Sequence, residues 1–405
     1  MAPKSVSTAS QGRVTAGQRR SQLAEAAAQR FQREGYHRVS MADVAADTGV
    51  TAPMVYKHFR NKQDLLAAAI LSGLDTVSGV LQRTADEPLD HLVAATADLV
   101  LDRPDLWTLL QREAKFLDPE RRAQIERQFG AIVAQFATRL RQSRPELDAG
   151  DARLLITAAT AALASPSVRR TIVSRALVTR ELTCSAMAIL QLSLPESNLV
   201  TSAPYAPSPV SVPSPDEMSP RRAELLDSAI DLFFQRGYAA VSLDDIGSSI
   251  GIMGPSIYHY YATKADILVA AFRRATDRLV EDYARLRPAA RARPSLAELV
   301  GVYIDFCLRN RSLVGVYVSE AINLPIEEQR RITAVLRDRV SDWTDALLAE
   351  DEGLERPAAR VRTGAALTVI DDVIRLGSFH QRPAIAAETR QIALAALLGD
   401  HPSQA

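Results

Sequence analysis

The strongest constraint on this chain is internal repetition. Without a gap, residues 19–70 align with 221–272 at an offset of 202, and 18 of the 52 pairs are identical. The matches include Phe31 with Phe233, Gly35-Tyr36 with Gly237-Tyr238, Val39-Ser40 with Val241-Ser242, Pro53 with Pro255, Tyr56 with Tyr258 and Lys62 with Lys264. A fainter correspondence continues at an offset of 207, pairing Leu101 with Leu308, Glu113-Ala114 with Glu320-Ala321 and Glu181 with Glu388. Self-similarity over so long a period means that one structural unit is used twice. The fold problem is therefore that of a unit of about 200 residues, a size that one or two ordinary cores fill.

Apolar spacing of 3.6 residues recurs throughout, and no alternating strand runs bounded by turns are evident, so the fold is expected to be all-α. Between the copies, residues 195–220 hold seven prolines with several serines, which predicts an extended linker. The expected division is a basic flexible arm at 1–18, a first head at 19–65, a helical regulatory domain at 66–194, the linker at 195–220, a second head at 221–267 and a second regulatory domain at 268–400.

Apolar residues make up 47% of the chain, and stretches such as 154–164 are too short and too often interrupted by threonine for the ~20 residues of a membrane span. Without a secretory pattern at the N-terminus, a cytoplasmic location and no membrane partner are expected. The two cysteines, Cys184 and Cys307, have no ligand-like neighbours, so neither a metal nor a disulfide framework is expected. The six histidines are scattered, and no phosphate loop or nucleophile elbow occurs, so no catalytic residue, enzyme activity or cofactor is expected.

Within each head the spacing spells out short helices. Leu23, Ala27 and Phe31 give an amphipathic first helix that Gly35 ends. Ser40 with Asp43 resembles a capping box for a second, stopped at Gly49. Thr51 is placed to cap a third helix from about Ala52 to His58, and Asn61 with Asp64 a fourth. Two short helices across a tight glycine turn make a helix-turn-helix, whose second helix enters the major groove of DNA.

Gly35-Tyr36, Val39-Ser40, Gly49-Val50-Thr51, Val55-Tyr56-Lys57-His58-Phe59 and Lys62 together resemble the signature of the TetR family of regulators. Gly237-Tyr238, Val241-Ser242, Gly251-Ile252, Ile257-Tyr258-His259-Tyr260-Tyr261 and Lys264 repeat it. The resemblance implies a three-helix DNA-binding head followed by a helical domain for ligand binding and dimerisation, twice in one chain. It implies double-stranded operator DNA and a small hydrophobic effector as partners, and either an intrachain pseudo-dimer or a homodimer.

Carried over by position, it sets Thr51, Tyr56 and Lys62 near phosphates and Ala52, Pro53, Met54, Lys57 and His58 near bases or the groove wall, with Arg19, Arg20 and Ser40 beside them. In the second unit the matching set is Ser242, Gly254, Pro255, Ser256, Tyr258, His259, Tyr260 and Lys264. The residue types suit the task, since phosphates need cations and hydroxyls. A surface hydroxyl at Tyr56, a solvated Lys57 and a packed His58 are the bland alternatives.

The two heads are not equivalent. Met253 stands where Thr51 would cap, a loss of about 1 kcal/mol of helix stability. Residues 1–62 carry ten Lys and Arg against four acids, whereas residues 219–264 carry four against five. Phosphate neutralisation supplies most non-specific affinity, so the first head is expected to bind DNA more strongly.

Overall fold

A computed structural model describes residues 15–168, 173–194, 220–252, 254–286 and 293–399. Most of the expected arm, nearly all of the expected linker, and Met253 lie outside the described residues.

The described residues contain helices and turns and no strand. Unit 1 opens with α1 (Ala16–Glu34), α2 (Met41–Asp47), α3 (Ala52–His58) and the long α4 (Lys62–Arg83). Its body continues with α5 (Leu89–Asp102), α6 (Pro104–Thr108), α7 (Pro119–Ser143), α8 (Ala149–Val168) and α9 (Arg175–Gln191). Between α6 and α7 the chain passes through a π-helical turn, Leu109–Glu113, and a 3₁₀ turn, Ala114–Phe116. Unit 2 repeats the order as α10 (Pro220–Arg236), α11 (Leu243–Ser249), α12 (Gly254–Ile257), α13 (Lys264–Arg285), α14 (Leu296–Arg309), α15 (Arg311–Glu320), α16 (Ile326–Glu350), α17 (Arg356–Arg375) and α18 (Ile385–Leu398).

The repeat holds helix by helix. The bounds of α4 and α13 differ by 202 at both ends, and those of α5 and α14, α7 and α16, and α8 and α17 differ by 207 at both ends. The five-residue step falls in the connection between α13 and α14. The faint sequence correspondence of the bodies is thus a true register.

Local signals explain the helix ends. Thr15 and Gln18 form a capping box ahead of α1, so helix begins inside the segment expected to be a flexible arm. Gly35, Gly49, Gly237 and Gly251 take positive φ between 66° and 84°, the conformation in which glycine has no steric penalty, at the two chain reversals of each head. The length and apolar composition of α4 would also suit a membrane span, but half of its most apolar stretch is buried inside the protein. Leu65, Leu66, Ile70 and Leu74 form that buried seam, against α1 and α7.

The core does not divide where the repeat does. One cluster joins the first head to α4 through α7. The other runs from α8 and α9 of unit 1, with Val93 and Ala97 of α5 and Leu140 of α7, through the whole of unit 2. Helices α8, α9, α17 and α18 pack side by side as a four-helix assembly drawn from both units. Inside it, Arg362 on α17 pairs with Glu181 on α9 at 2.7 Å, with both side chains at least 93% buried. The Ser185 hydroxyl donates to the Ala396 carbonyl at 2.7 Å, and Arg362 also reaches the Leu398 carbonyl at 2.8 Å.

Candidate functional site

In head 1, α3 is built to show one face. Val55 and Phe59, four residues apart, are completely buried, which turns Thr51, Pro53, Met54, Tyr56 and Lys57 outward; Tyr56 is 56% exposed. Ala52 and His58 are half-buried at the edges of that face. A short helix held by two apolar side chains, with mixed hydroxyl, cationic and apolar groups on the far side, matches the surface that a major groove reads.

Sequence reasoning missed how α3 is fixed. The guanidinium of Arg20 on α1 donates to the His58 carbonyl at the end of α3 and lies 4.3 Å from the centroid of the Phe59 ring. Arg222 lies over Tyr261 at 4.8 Å in the second head. The Arg20/Arg222 identity, paired with an aromatic 39 residues further on in both copies, was the available signal. Arg20 therefore holds the reading helix from behind, and Arg19, half-buried, lies beside it on α1.

Other expected contacts fall differently. Thr51 occupies the N-cap of α3 with extended backbone, but its side chain makes no capping hydrogen bond. The expected cap is corrected in that respect. Ser40 and Ser242 give their hydroxyl hydrogens to Asp43 and Asp245, at 2.7 and 2.6 Å, within reciprocal capping boxes. Lys62 turns inward in its own head. Its ammonium donates to the Tyr36 and Val39 carbonyls at 2.8 and 2.9 Å and sits 4.3 Å from the Tyr36 ring centroid. Lys264 repeats this on Tyr238 and Val241 at 2.6 and 2.7 Å. Burial pushes both lysines below their ordinary pKa. Each ties the turn after the first helix to the start of the fourth.

The second reading helix is short. While α3 has seven residues, α12 has four, and Tyr258, His259 and Tyr260 continue as turn. There, His259 N–H reaches Ser256 O at 3.3 Å and Tyr260 N–H reaches Ile257 O at 3.0 Å, bonds that tighten the turn instead of extending an α-helix. Gly254 and Pro255 open α12; Ser256, Tyr258 and His259 are exposed, and Tyr260 packs partly against the core. Position 247 adds a cause. A Cβ on Gly247 would stand 2.8 Å from the Ile252 carbonyl oxygen, so the turn before α12 packs closer to α11 than alanine permits. The first head has Ala45 at that place.

Each head is tied to the body of its own unit and to the other unit. Arg112, in the π-helical turn, donates to the Phe31 and Gln32 carbonyls at the end of α1, at 2.7 and 2.8 Å. Its neighbour Glu113, almost fully buried, accepts from the Tyr36 N–H at 3.2 Å; burial pushes that carboxyl up despite Arg112 beside it. Gln111 bonds Asp372 of unit 2 at 3.0 and 3.2 Å, and Lys115 pairs with Glu320. Arg38 of head 1 donates to the Ile322 carbonyl of unit 2 at 3.2 Å, while a Cβ at Gly237 of head 2 would meet Lys115 of unit 1. These reciprocal contacts bring the turns that follow α1 and α10 to the same side of the molecule.

The same π-helical segment walls a cavity in unit 1. A cavity of about 80 Å³ lies among α4 through α9, lined almost wholly by aliphatic and aromatic side chains including Leu106, Trp107 and Leu110. Apolar pockets between the helices of a bundle are where small organic ligands bind.

An exposed helix-turn-helix face on each of two all-helical bodies defines a duplicated DNA-binding protein. The family model "Bacterial regulatory proteins, tetR family" matches at residues 23–69 and again at 225–271. The chain belongs to that family, with two tandem units, and is a DNA-binding transcriptional regulator.

Among curated proteins, it is 26% identical over 168 residues to the HTH-type transcriptional activator FasR of Mycolicibacterium smegmatis, covering 40% of this chain and 74% of that one. It is 31% identical over 112 residues to the HTH-type transcriptional repressor KstR2 of Rhodococcus jostii, covering 27% of this chain and 55% of the repressor. The chain thus spans about half the length of the Rhodococcus repressor. Among solved structures, the ketosteroid transcriptional regulator KstR2 of Mycobacterium tuberculosis is similar over 45% of this chain and 95% of its own, at 23% identity and a TM-score of 0.40. These curated relatives are transcriptional regulators.

Proposed function

We propose that the chain is a ligand-responsive repressor that pairs its own two units and reads an asymmetric operator in the cytoplasm. The observation that carries this reading is the buried Arg362–Glu181 pair between α17 and α9. At the offset of 207, Leu155 is the unit 1 counterpart of Arg362. Two first units paired in the same way across two chains would set Glu181 against leucine and leave that buried carboxylate with only the largely exposed Arg180, and losing one partner of a buried pair is destabilising. Pairing unit 1 with unit 2 avoids that cost. An expected linker of 26 residues reaches ~80 Å when extended at ~3.1 Å per residue, ample for the two halves to meet. Covalent linkage also raises the effective concentration of each half for the other.

Asymmetry of the operator follows from the heads. Ala52-Pro53-Met54 and Gly254-Pro255-Ser256 present different groups, the second helix is shorter, and the net charge of the first head is the more positive. The homodimer reading, in which only the first heads bind DNA, is the alternative, and the weakness of head 2 is what favours it.

Ligand response is supported by the unit 1 cavity and its wall. The segment that bears Leu106, Trp107 and Leu110 runs directly into Arg112 and Glu113, which hold the end of α1, and Lys115, which touches unit 2. A ligand that displaced this wall would shift both heads, and only a ligand with different affinities for the two arrangements can do so. The names of relatives direct the first screen to apolar carbon compounds. One is a ketosteroid regulator, and another is a fatty acid metabolism regulator of Bacillus subtilis, 23% identical over 149 residues.

A true effector at 100 times its Kd stabilises the protein by about 2.7 kcal/mol and is expected to release operator at the same concentrations. Thermal melts read beside gel shifts test this. A compound that raises the melting point while operator stays bound would count against the regulatory role of the cavity.

A further inference from the structure

We propose that each chain takes a single effector, in unit 1 alone, and that the effector is a neutral apolar molecule whose hydrogen-bond acceptor meets the indole N–H of Trp107. The proposal rests on the ligand-responsive reading above and specifies its stoichiometry and chemistry.

Two observations set the chemistry. Trp107 lines the cavity and is 92% buried, and its Nε1 hydrogen has no hydrogen-bond partner. A buried donor left unpaired is costly, and the surrounding lining is aliphatic and aromatic, so the missing partner is best supplied by what fills the space. Charge sets the second limit. Arg103 is the one cation in the lining, and Asp105 holds it bidentately at 2.8 and 3.0 Å with both side chains largely buried. A carboxylate entering this cavity would lose its hydration without gaining a free cation, whereas a ketone, ester or ether would not face that penalty.

The stoichiometry comes from the repeat. Unit 1 cavity residues Thr96, Val100, Phe136 and Ala164 correspond, at the offset of 207, to Tyr303, Cys307, Trp343 and Asp371. Three of these four are larger, and all four are buried. They also satisfy one another. The Trp343 indole donates to the Tyr283 hydroxyl at 2.9 Å, the Tyr303 hydroxyl donates to Asp371 at 2.7 Å, and the Tyr303 and Trp343 rings meet edge to face at 5.9 Å. In unit 2 these side chains add bulk to the wall that lies open in unit 1, while Val314 stands where unit 1 has Trp107. The chain's two tryptophans thus differ in that Tyr283 completes the one in unit 2, while the one in unit 1 awaits an acceptor.

The test uses the full chain and three matched probes delivered from cyclodextrin: 2-decanone, decane and decanoate. Calorimetry and native mass spectrometry are expected to show one 2-decanone per chain, bound about five- to tenfold more tightly than decane, the worth of one net hydrogen bond. Decanoate at neutral pH is expected to bind at least tenfold more weakly than the ketone, since it must be desolvated beside an occupied cation. Trp107→Phe keeps the ring and its packing; it should bind decane as before and lose the preference for the ketone. In a second variant, Thr96→Tyr with Phe136→Trp should transplant the plug and abolish binding of all three while operator binding persists. Two molecules per chain, tighter binding of decanoate, or a ketone preference that survives Trp107→Phe would overturn the proposal and leave ligand response standing. Failure of all three probes to bind would overturn the ligand-responsive reading as well.

Discussion

Replacing Arg362 with leucine, the residue that unit 1 carries at the matching position, is expected to destabilise the protein by about 3 kcal/mol. The mechanism is specific. Glu181 is held by Arg362 at 2.7 Å and, on its other oxygen, by the largely exposed Arg180. Removing Arg362 leaves a carboxylate in a nearly closed site with one partner at the surface. Because Arg180 remains, the cost should fall at the low end of what broken buried pairs show, about 3 to 5 kcal/mol. Pairing Arg362→Leu with Glu181→Leu should recover most of that loss, since two apolar groups in place of a buried pair are often neutral. Denaturant titration of the single and double variants measures both effects. A single variant as stable as the parent would mean that the α9–α17 contact contributes nothing to the pairing of the units.

The second large effect lies on DNA. Tyr56→Ala with Lys57→Ala removes two outward side chains from α3 without touching Val55 or Phe59, so head 1 should stay folded. Contacts of this kind are worth about 1 to 3 kcal/mol each, so operator affinity should fall by roughly two to three orders of magnitude, with a shallower dependence on salt from loss of the lysine. Tyr258→Ala with His259→Ala in head 2 should cost less, about tenfold, because its reading helix is a single turn and carries less positive charge. Gel shifts across a salt series compare the two. Equal losses would show that the second head binds as strongly as the first.

Most of the architecture was legible because duplication tests every local reading twice. The capping boxes at Ser40 and Ser242, the glycines at positive φ and the limits of α3 all followed from spacing, since caps and turns are settled by neighbours in sequence. Long-range chemistry was not legible. Lys62 and Lys264 read as phosphate ligands from position alone, and only the fold shows that the Tyr36 and Tyr238 carbonyls take them. The shortened α12 had a partial signal in Gly247, where glycine replaces the alanine of head 1. The plug in unit 2 was also present in the alignment, as Thr96 against Tyr303 and Phe136 against Trp343. It had no meaning until the helices showed that the offset of 207 is a structural register. Arg362, against Leu155, was hidden for the same reason: its partner lies 181 residues away, in the other unit.

The mass of the protein–operator complex decides whether two unlike heads joined in one chain act as one reader. Light scattering on the complex, with a footprint of the bound DNA, should show one chain protecting two unequal half-sites about one helical turn, ~34 to 36 Å, apart. Two chains protecting a near-perfect palindrome would contradict it.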